Sequence, residues 1–544
     1  MSWKKINKEA LGNGIAGCLL VVAFFGSLTQ IRRTAQEVFD PTKKTISIAH
    51  WQLELGYRDA LDKVCREYEK LHPDVKIRQV AVSEKFYGQV VNTHLVSGTA
   101  PDLIEMGFST MVQMDQYLAR YFEPMSGHIQ YPNPYNNGTE LEGVRWQDTF
   151  IDGMQSWYRE ALQEYYGIPS SAFTVRVFYN KDMFQKIVGH DRPPKTFGEF
   201  MNICEKIETS AKQEKTTLVP IAGSLYNSRI FFERYLNAFG SRYEPALDFG
   251  YDGGITGYRM YLGLRQGKLK WDDPTNKAAF ELLHELSQHF QPGFMAVGRE
   301  QAAFLFVQEQ AAMITSGSWD AESLFRQARF KVGIFDFPMP AKDEKYGQYV
   351  RGRQSEAGTG TGGGFGLYRF SKQKEVALDF LKFFSSKRIN QQFNQDITWI
   401  PVVVGTQPKE NLKVFAPDPV GYASSFTWVW GSHSDEVYMG GLTQYLQNEI
   451  SFDQFGKTIL DALNDKTYGW YKAATLDYES MRNTVTMQEQ LLGIVLSDHL
   501  FPKAIGNFDQ KYREVLIRQT KMAQAQEEYR DRLQKGLSTT LEVK

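Results

Sequence analysis

The sequence predicts an α/β protein that contains a parallel sheet and folds as two or more globular units after an N-terminal membrane segment. Three observations predict this class. Strand and helix periodicities alternate over residues 46–106. The chain has 544 residues, which is too long for one ordinary core. Residues 14–31 form an uncharged run that is flanked by basic residues.

The first globular unit opens with a strand–helix–strand–helix–strand pattern. Alternating apolar residues predict a strand over 46–51, and a single apolar face predicts a helix over 57–71. A second strand is expected over 75–82, and a second helix over 84–97 ends before a glycine. A strand over 102–106 completes the pattern, and this spacing is typical of a parallel sheet.

The remainder of the chain gives weaker signals of the same kind. Thr196 and Glu199 form a capping-box sequence, which predicts a helix through residue 207. Residues 220–300 are expected to be mostly helical, and residues 341–362 to form a glycine-rich loop. The other expected elements are strands over 173–179, 331–337 and 365–368, a helix over 374–384 and a charged helical tail over 508–535.

Residues 304–320 combine several features of a binding turn. The segment reads FLFVQEQAAMITSGSWD, which predicts a short helix, a buried strand and a turn, after which a new helix begins. Ser318 is expected to cap that helix, and Asp320 to favour its N-terminal dipole. The turn would offer backbone N–H groups, the flat face of Trp319 and a carboxylate. Such a combination suits a hydroxylated ring such as a sugar.

The charge pattern places the body of the protein outside the cytoplasm, next to a membrane. The formal net charge is −1, from 62 basic and 63 acidic residues, and no dense basic block suggests nucleic-acid binding. Three lysines precede the uncharged run, and Arg32 and Arg33 close it, so the N-terminus is expected to stay in the cytoplasm. An uncleaved anchor is expected, although residues 15–18 (IAGC) resemble a lipobox and leave lipidation open.

Five segments occur in a fixed order over residues 45–400. They read ISIAHWQLELGYRDALDKVCREYEKLHPDVKIRQV, SGTAPDLIEMG, YYGIPSSAFTVRVFYNKDMF with PPKTFGEF, FLFVQEQAAMITSGSWD with FKVGIFDFPMP, and GGGFGLYRFSKQKEVALDFLKFF. Together they resemble the family 1 extracellular solute-binding proteins of ABC importers, whose best-known member binds maltose.

The resemblance implies a periplasmic-binding-protein type II fold, in which two discontinuous α/β lobes are joined at a hinge and close over a ligand. It places an anchor or signal in residues 1–40, the first lobe in 45–122 and 365–386, the second lobe in 123–364 and 387–505, and a C-terminal helical tail in 506–544. The implied function is an extracytoplasmic substrate-binding subunit that captures a sugar or oligosaccharide and delivers it to a membrane permease. The expected partners are therefore a carbohydrate, ABC permease subunits and the membrane. The chain is expected to be monomeric, without a cofactor, a metal or a catalytic residue.

The resemblance also implies a set of ligand-binding positions, which lie at the ends of strands and at the glycine-rich crossing. They are Trp51, Glu54, Ser83, Glu84, Gly107, Phe108, Ser109, Ser171, Phe173, Ser318, Trp319, Asp320, Gly363, Gly364 and Trp399. In such proteins aromatic rings stack on sugar faces, while carboxylates and backbone groups bind the hydroxyls.

Two other functions remain open. Glu54, Glu84 and Asp320 would supply the paired carboxylates of a secreted carbohydrate-active hydrolase. The same cleft would also serve a ligand-sensing module that is presented to a membrane receptor.

Two apparent motifs carry no prediction. Residues 358–363 match GxGxxG, but a polar loop precedes them and a strand follows, whereas a dinucleotide site needs a strand before the motif and a helix after it. His284 and His289 are five residues apart, so on a helix they point about 140° apart and cannot share a metal.

Overall fold

The computed structural model describes residues 43–469, with gaps at 54–55, 107–113, 160–161, 163, 249–254, 256, 357–360, 419, 423–425, 427, 429–431 and 466–468. The predicted N-terminal anchor and C-terminal tail lie outside these residues. Within the described part of the chain, no helix combines the length and the apolar character needed to cross a membrane.

The described strands and helices follow one another in the order that the sequence patterns suggest. The strands are β1 (Lys44–His50), β2 (Val75–Ala81), β3 (Leu103–Glu105), β4 (Tyr158–Arg159), β5 (Glu164–Tyr165), β6 (Ile168–Ala172), β7 (Val175–Asn180), β8 (Val219–Ala222), β9 (Ala311–Gly317), β10 (Val332–Phe335) and β11 (Thr361–Leu367). The helices are α1 (Tyr57–Leu71), α2 (Glu84–Ser97), α3 (Met114–Tyr121), α4 (Ser126–Ile129), α5 (Lys181–Ile187), α6 (Phe197–Glu214), α7 (Leu225–Gly240), α8 (Glu244–Leu247), α9 (Gly257–Arg265), α10 (Pro274–Ser287), α11 (Arg299–Val307), α12 (Ala321–Gln327), α13 (Lys374–Phe384), α14 (Lys387–Ile397), α15 (Ser432–Leu446) and α16 (Phe452–Asn464).

Two sheets organise the molecule. The first has the strand order β2-β1-β3-β11-β6, and the second has the order β10-β7-β9-β8. In the first sheet β1 is parallel to β2 and β3, which confirms the predicted parallel pattern, and β11 is antiparallel to β3 and β6. In the second sheet β8 is parallel to β9, while β7 is antiparallel to both β9 and β10.

Aromatic side chains fill the core between the second sheet and its helices. Phe231 of α7 packs against Phe200, Tyr235, Phe290 and Phe337, with ring centroids 5.2–6.3 Å apart. Rings at these distances interact favourably in tilted and edge-to-face arrangements. Many of the aromatic residues that the composition reports therefore serve the core rather than a ligand.

The packing displaces the predicted lobe boundaries. Helix α14, which the sequence assigned to the second lobe, packs on α1 and β6 of the first sheet, and its Phe393 contacts Tyr57 edge to face at 5.4 Å. Residues 123–172 lie on the same side, since they contain β6 and the Trp146 indole donates a hydrogen bond to Ser385 Oγ at 2.9 Å. The pairing of β6 with β11 joins distant parts of the chain, which local sequence patterns do not report.

Three chain segments connect the two sheets, and we call them together the waist. Phe173 and Thr174 link β6 to β7. Glu356 leads, through residues outside the described set, to β11. Residues 403–418 bring the chain back to the second sheet, where Phe415 packs on Phe178 of β7 at 5.6 Å.

Candidate ligand-binding site

Exposed apolar side chains gather where parallel strands end. Leu53 follows β1, and Phe86 lies in the first turn of α2, after β2. On the second sheet, Leu225 and Tyr226 open α7 directly after β8. In open α/β sheets ligands bind outside the carboxyl ends of the strands, and exposed apolar groups mark interaction sites. These edges are therefore the candidate binding surface.

The edges of the two sheets face each other across a charged contact. Arg299, at the start of α11, lies 4.0 Å from the carboxylate of Glu84 on the first-sheet side. Its guanidinium is also 3.7 Å from Asp320 and lies over the Tyr226 ring, 5.7 Å from the centroid. Glu84 and Asp320, which the sequence predicted as ligand-binding residues, therefore meet at one place. Tyr226 and Arg299 were not predicted.

The hydroxyl of Tyr226 lies in a polar environment that keeps it protonated. Burial raises the pKa of Tyr226 to about 12; Arg299 opposes this rise, and Asp320 and Glu84 add to it. The phenol is therefore a hydrogen-bond donor throughout the physiological pH range. A donor, a guanidinium and two carboxylates beside exposed aromatic surface match the needs of a hydroxylated ligand.

Trp319 supplies a partly exposed aromatic face at the end of β9. Its ring contacts Phe173 edge to face at 5.5 Å, and Phe173 in turn contacts Trp399 at 4.8 Å. Trp399 is only 2% exposed, and its indole N–H donates to the Trp319 carbonyl at 3.3 Å. Gly317 leaves room for the Trp319 ring, because a Cβ there would come within 2.3 Å of it. Trp319 and Phe173 thus form the platform, and Trp399 supports it from below.

The turn that carries Trp319 holds its own hydrogen bonds. The Ser318 amide donates to the Thr174 carbonyl at 2.9 Å, and Ser316 Oγ donates to Asp320 Oδ2 at 2.5 Å. The prediction that Ser318 caps the next helix is wrong, since a 3₁₀ turn over Ser318–Asp320 intervenes and Asp320 occupies the N-cap position. Among the described residues, Ser318 Oγ and Trp319 Nε1 are buried polar atoms without a hydrogen-bond partner. Buried polar groups usually have partners, so these two atoms are available to a ligand.

The first sheet contributes the loop after β1 and the start of α2. The Trp51 ring packs against the edge of Tyr87 at 5.0 Å, and its amide donates to Glu105 Oε2 at 3.1 Å. Glu105 is buried and also accepts from Gln52, so it holds this loop in place. Ser83 and Glu84, at the start of α2, are exposed toward solvent, as expected of ligand-binding positions. Glu54, Gly107, Phe108 and Ser109 lie outside the described residues.

Three of the predicted binding residues are structural instead. Ser171 is fully buried in β6, where its hydroxyl donates to Asn394 Oδ1 at 2.7 Å, so it cannot reach a ligand as predicted. Gly364 lets β11 approach β6 closely, because a Cβ there would lie 2.3 Å from the Ile168 carbonyl oxygen. At Gly363 a Cβ would lie 3.1 Å from the Phe173 ring, so this glycine accommodates the platform.

No group of three or more histidine, cysteine or acidic residues suited to a metal occurs in the part of the chain that the structure describes. His284 Nε2 lies 2.7 Å from Asn448 Oδ1, and His289 Nδ1 lies 2.7 Å from Glu208 Oε1. The two histidines thus have separate partners, as their spacing predicted.

The residues that the sequence missed lie in a region it treated as continuous helix. Strand β8 has only four residues, and its short apolar run within 220–300 was read as part of a helix. Ser224 Oγ accepts from the Asn227 amide and caps α7, which places Tyr226 in the first turn at the candidate surface. A serine three residues before an asparagine, after an apolar run, was the available signal.

Comparisons with known proteins agree with this geometry. The sequence profile of a family described as bacterial extracellular solute-binding protein matches residues 63–420. A multiple sugar-binding protein of Streptococcus mutans is 24% identical over 431 residues, which are 77% of this chain and 89% of that protein. An ABC transporter extracellular-binding protein of Pyrococcus horikoshii is 24% identical over 325 residues, which are 55% of this chain and 63% of that protein.

A solved structure shares the fold at low sequence identity. The GacH receptor of Streptomyces glaucescens, whose structures include a complex with acarbose, superposes with a TM-score of 0.56 at 18% identity. The superposition covers 77% of this chain and 97% of the receptor. It supports the α/β substrate-binding-protein fold.

Proposed function

We propose that this chain, which belongs to the family of bacterial extracellular solute-binding proteins, is the substrate-binding subunit of an ABC importer for a sugar or oligosaccharide. The observation that carries the proposal is the meeting of Glu84 from the first sheet with Arg299 and Asp320 from the second, beside the Trp319 ring. The family is one of binding proteins, and the site offers groups that hold a polyhydroxylated ring without transforming it.

Binding would proceed by closure of the two sheets over the ligand. Each sheet supplies part of the contacts, so only the closed arrangement makes all of them, and a ligand shifts the population toward closure. Trp319 would stack on one sugar face, while Asp320, Glu84 and the Tyr226 hydroxyl would take ring hydroxyls. The unpartnered Ser318 Oγ and Trp319 Nε1 would add hydrogen bonds from below.

The family is extracellular, which fits a location outside the cytoplasm. We further propose that residues 14–31 anchor the chain to the cytoplasmic membrane and that it acts as a monomer. From the packing, we assign one lobe to residues 44–172 with 361–403, and the other to 175–356 with 426–465. This assignment replaces the boundaries that the sequence suggested.

Isothermal titration of the purified full chain with neutral oligosaccharides tests the ligand class. Maltotriose, raffinose, xylotriose and chitotriose vary the sugar and its linkage while each keeps several stackable rings. The proposal expects saturable one-to-one binding of at least one sugar, and chromatography of the mixture should recover that sugar unchanged. A cleaved product would instead favour a hydrolase that uses Glu84 and Asp320, and binding of none would contradict the carbohydrate assignment.

A further inference from the structure

The described residues contain a buried ion-pair cluster that lies apart from the candidate ligand surface. Arg176 of β7 and Glu356 are 2% and 4% exposed, and they form a two-pronged pair with N–O distances of 2.7 and 2.8 Å. Arg234 of α7 donates to the same carboxylate at 2.9 Å. Two-pronged arginine–carboxylate pairs fix relative orientation strongly because both planar groups are held.

The cluster joins all three segments of the waist. Arg176 follows the first connection by two residues, and Glu356 immediately precedes the second. The third connection is held twice, since the guanidinium of Arg176 donates to the carbonyls of Val414 and Ala416 at 3.1 and 3.2 Å. The amide of Asp418 donates to Glu356 Oε2 at 3.0 Å, and the Glu356 amide donates back to the Asp418 carbonyl at 2.8 Å.

Neighbouring contacts extend the same attachment to the binding turn. Thr174 Oγ1 donates to the Phe415 carbonyl at 2.7 Å, which ties the first connection to the third. The carbonyl of Thr174 accepts from the Ser318 amide, and Arg176 lies opposite Ser316 in the sheet. The segment that carries Trp319 therefore rests on the same strand as the cluster.

We infer that Arg176 and Glu356 are positioning residues that fix the three connections of the waist together and thereby set the angle between the two sheets. A buried charge pair costs desolvation, and hydrophobic replacements are often as stable, so stability alone is weak grounds for its presence. Its placement at the meeting point of the three connections gives it a geometric role. Without it, the connections would move independently, and the sheets would sample a wider range of separations.

Distance measurement between the lobes tests this inference without any ligand. Spin labels are placed on Val96→Cys, at the end of α2, and Lys212→Cys, in α6, both exposed sites in opposite lobes. The full chain carries Cys18→Ser, and the native Cys65 and Cys204 are buried thiols, so neither competes for the label. Pulsed electron spin resonance then gives the distribution of separations.

Glu356→Gln is expected to shift the mean separation and broaden the distribution, because the carboxylate that binds both arginines and the third connection is lost. Asp248→Asn is the matched control, since Asp248 pairs with Arg259 at 3.2 Å within the second-sheet half and is not part of the waist. Its distribution should superpose on that of the parent chain. Thr174→Val removes one waist hydrogen bond without a charge change and should produce a smaller shift.

If Glu356→Gln does not fold, as judged by circular dichroism, Thr174→Val decides the matter. A distribution that matches the parent chain in whichever folded variant is measured would overturn the inference. So would an equal broadening in Asp248→Asn, because that would show a general loss of rigidity. Because no ligand enters the measurement, the result stands whether or not a sugar is found to bind.

Discussion

Replacement of Trp319 by alanine is the sharpest test of the proposed platform. The ring is partly exposed, contacts Phe173 at 5.5 Å and covers Gly317, so its removal strips an aromatic face from the site while the turn keeps its backbone hydrogen bonds. Truncation of a central aromatic anchor costs on the order of 2 kcal/mol of binding free energy, which corresponds to about a 30-fold rise in Kd. The lost edge-to-face contact costs only about 1 kcal/mol of folding stability, because a single aromatic pair is worth no more than that.

Isothermal titration with the sugar that binds tightest in the panel, together with the thermal midpoint, separates these two effects. Trp319→Phe should recover most of the affinity, since a flat ring remains. Phe370→Ala is the control, because Phe370 is exposed and contacts Tyr368 away from the site. A Kd for folded Trp319→Ala within twofold of the parent value would refute the platform.

Two further predictions concern stability. Gly364→Ala should lower the free energy of unfolding by about 1–3 kcal/mol, because its Cβ would meet the Ile168 carbonyl, whereas Gly440→Ala in α15 has open space and should raise it by up to about 1 kcal/mol; chemical denaturation measures both, and equal effects would contradict the close-approach argument. Burial raises the pKa of Glu244 to about 7, with Arg351 opposing the rise. A carboxyl whose pKa is higher in the folded than in the unfolded protein weakens folding as pH rises from about 4.5 to 7. Glu244→Gln should therefore raise the thermal midpoint at pH 8, by an amount worth about 1 kcal/mol after allowance for solvent screening, and leave it nearly unchanged at pH 4; the opposite pH dependence would contradict this reasoning.

The sequence predicted best where periodicity repeated over several elements. The first strands and helices lie within two residues of their expected bounds, because their apolar positions are spaced for burial on one face. Strand β6 was read as a turn, since Pro169, Ser170 and Ser171 favour turns locally. Its place at the edge of the first sheet explains why a proline is tolerated there. Long-range pairing with β11 decided the outcome.

The candidate site was predicted in part for a related reason. Glu84, Trp319 and Asp320 follow strands and were found from local turn chemistry and the family resemblance. Arg299 and Tyr226 were missed, because their role depends on where two distant helices begin relative to one another. Charge and aromaticity at a helix start have no meaning for a ligand until the opposite edge is placed.

The waist and the binding turn are not independent features of the fold. Thr174 contributes its hydroxyl to the third connection and its carbonyl to the Ser318 amide, so one residue belongs to both. Phe173 beside it touches the Trp319 ring. A rotation that separates the two sheets must turn about these two residues, and it therefore moves the platform relative to Glu84 on the other side. Ligand affinity and lobe angle are then coupled, because a ligand that fixes the distance from Trp319 to Glu84 also fixes the waist.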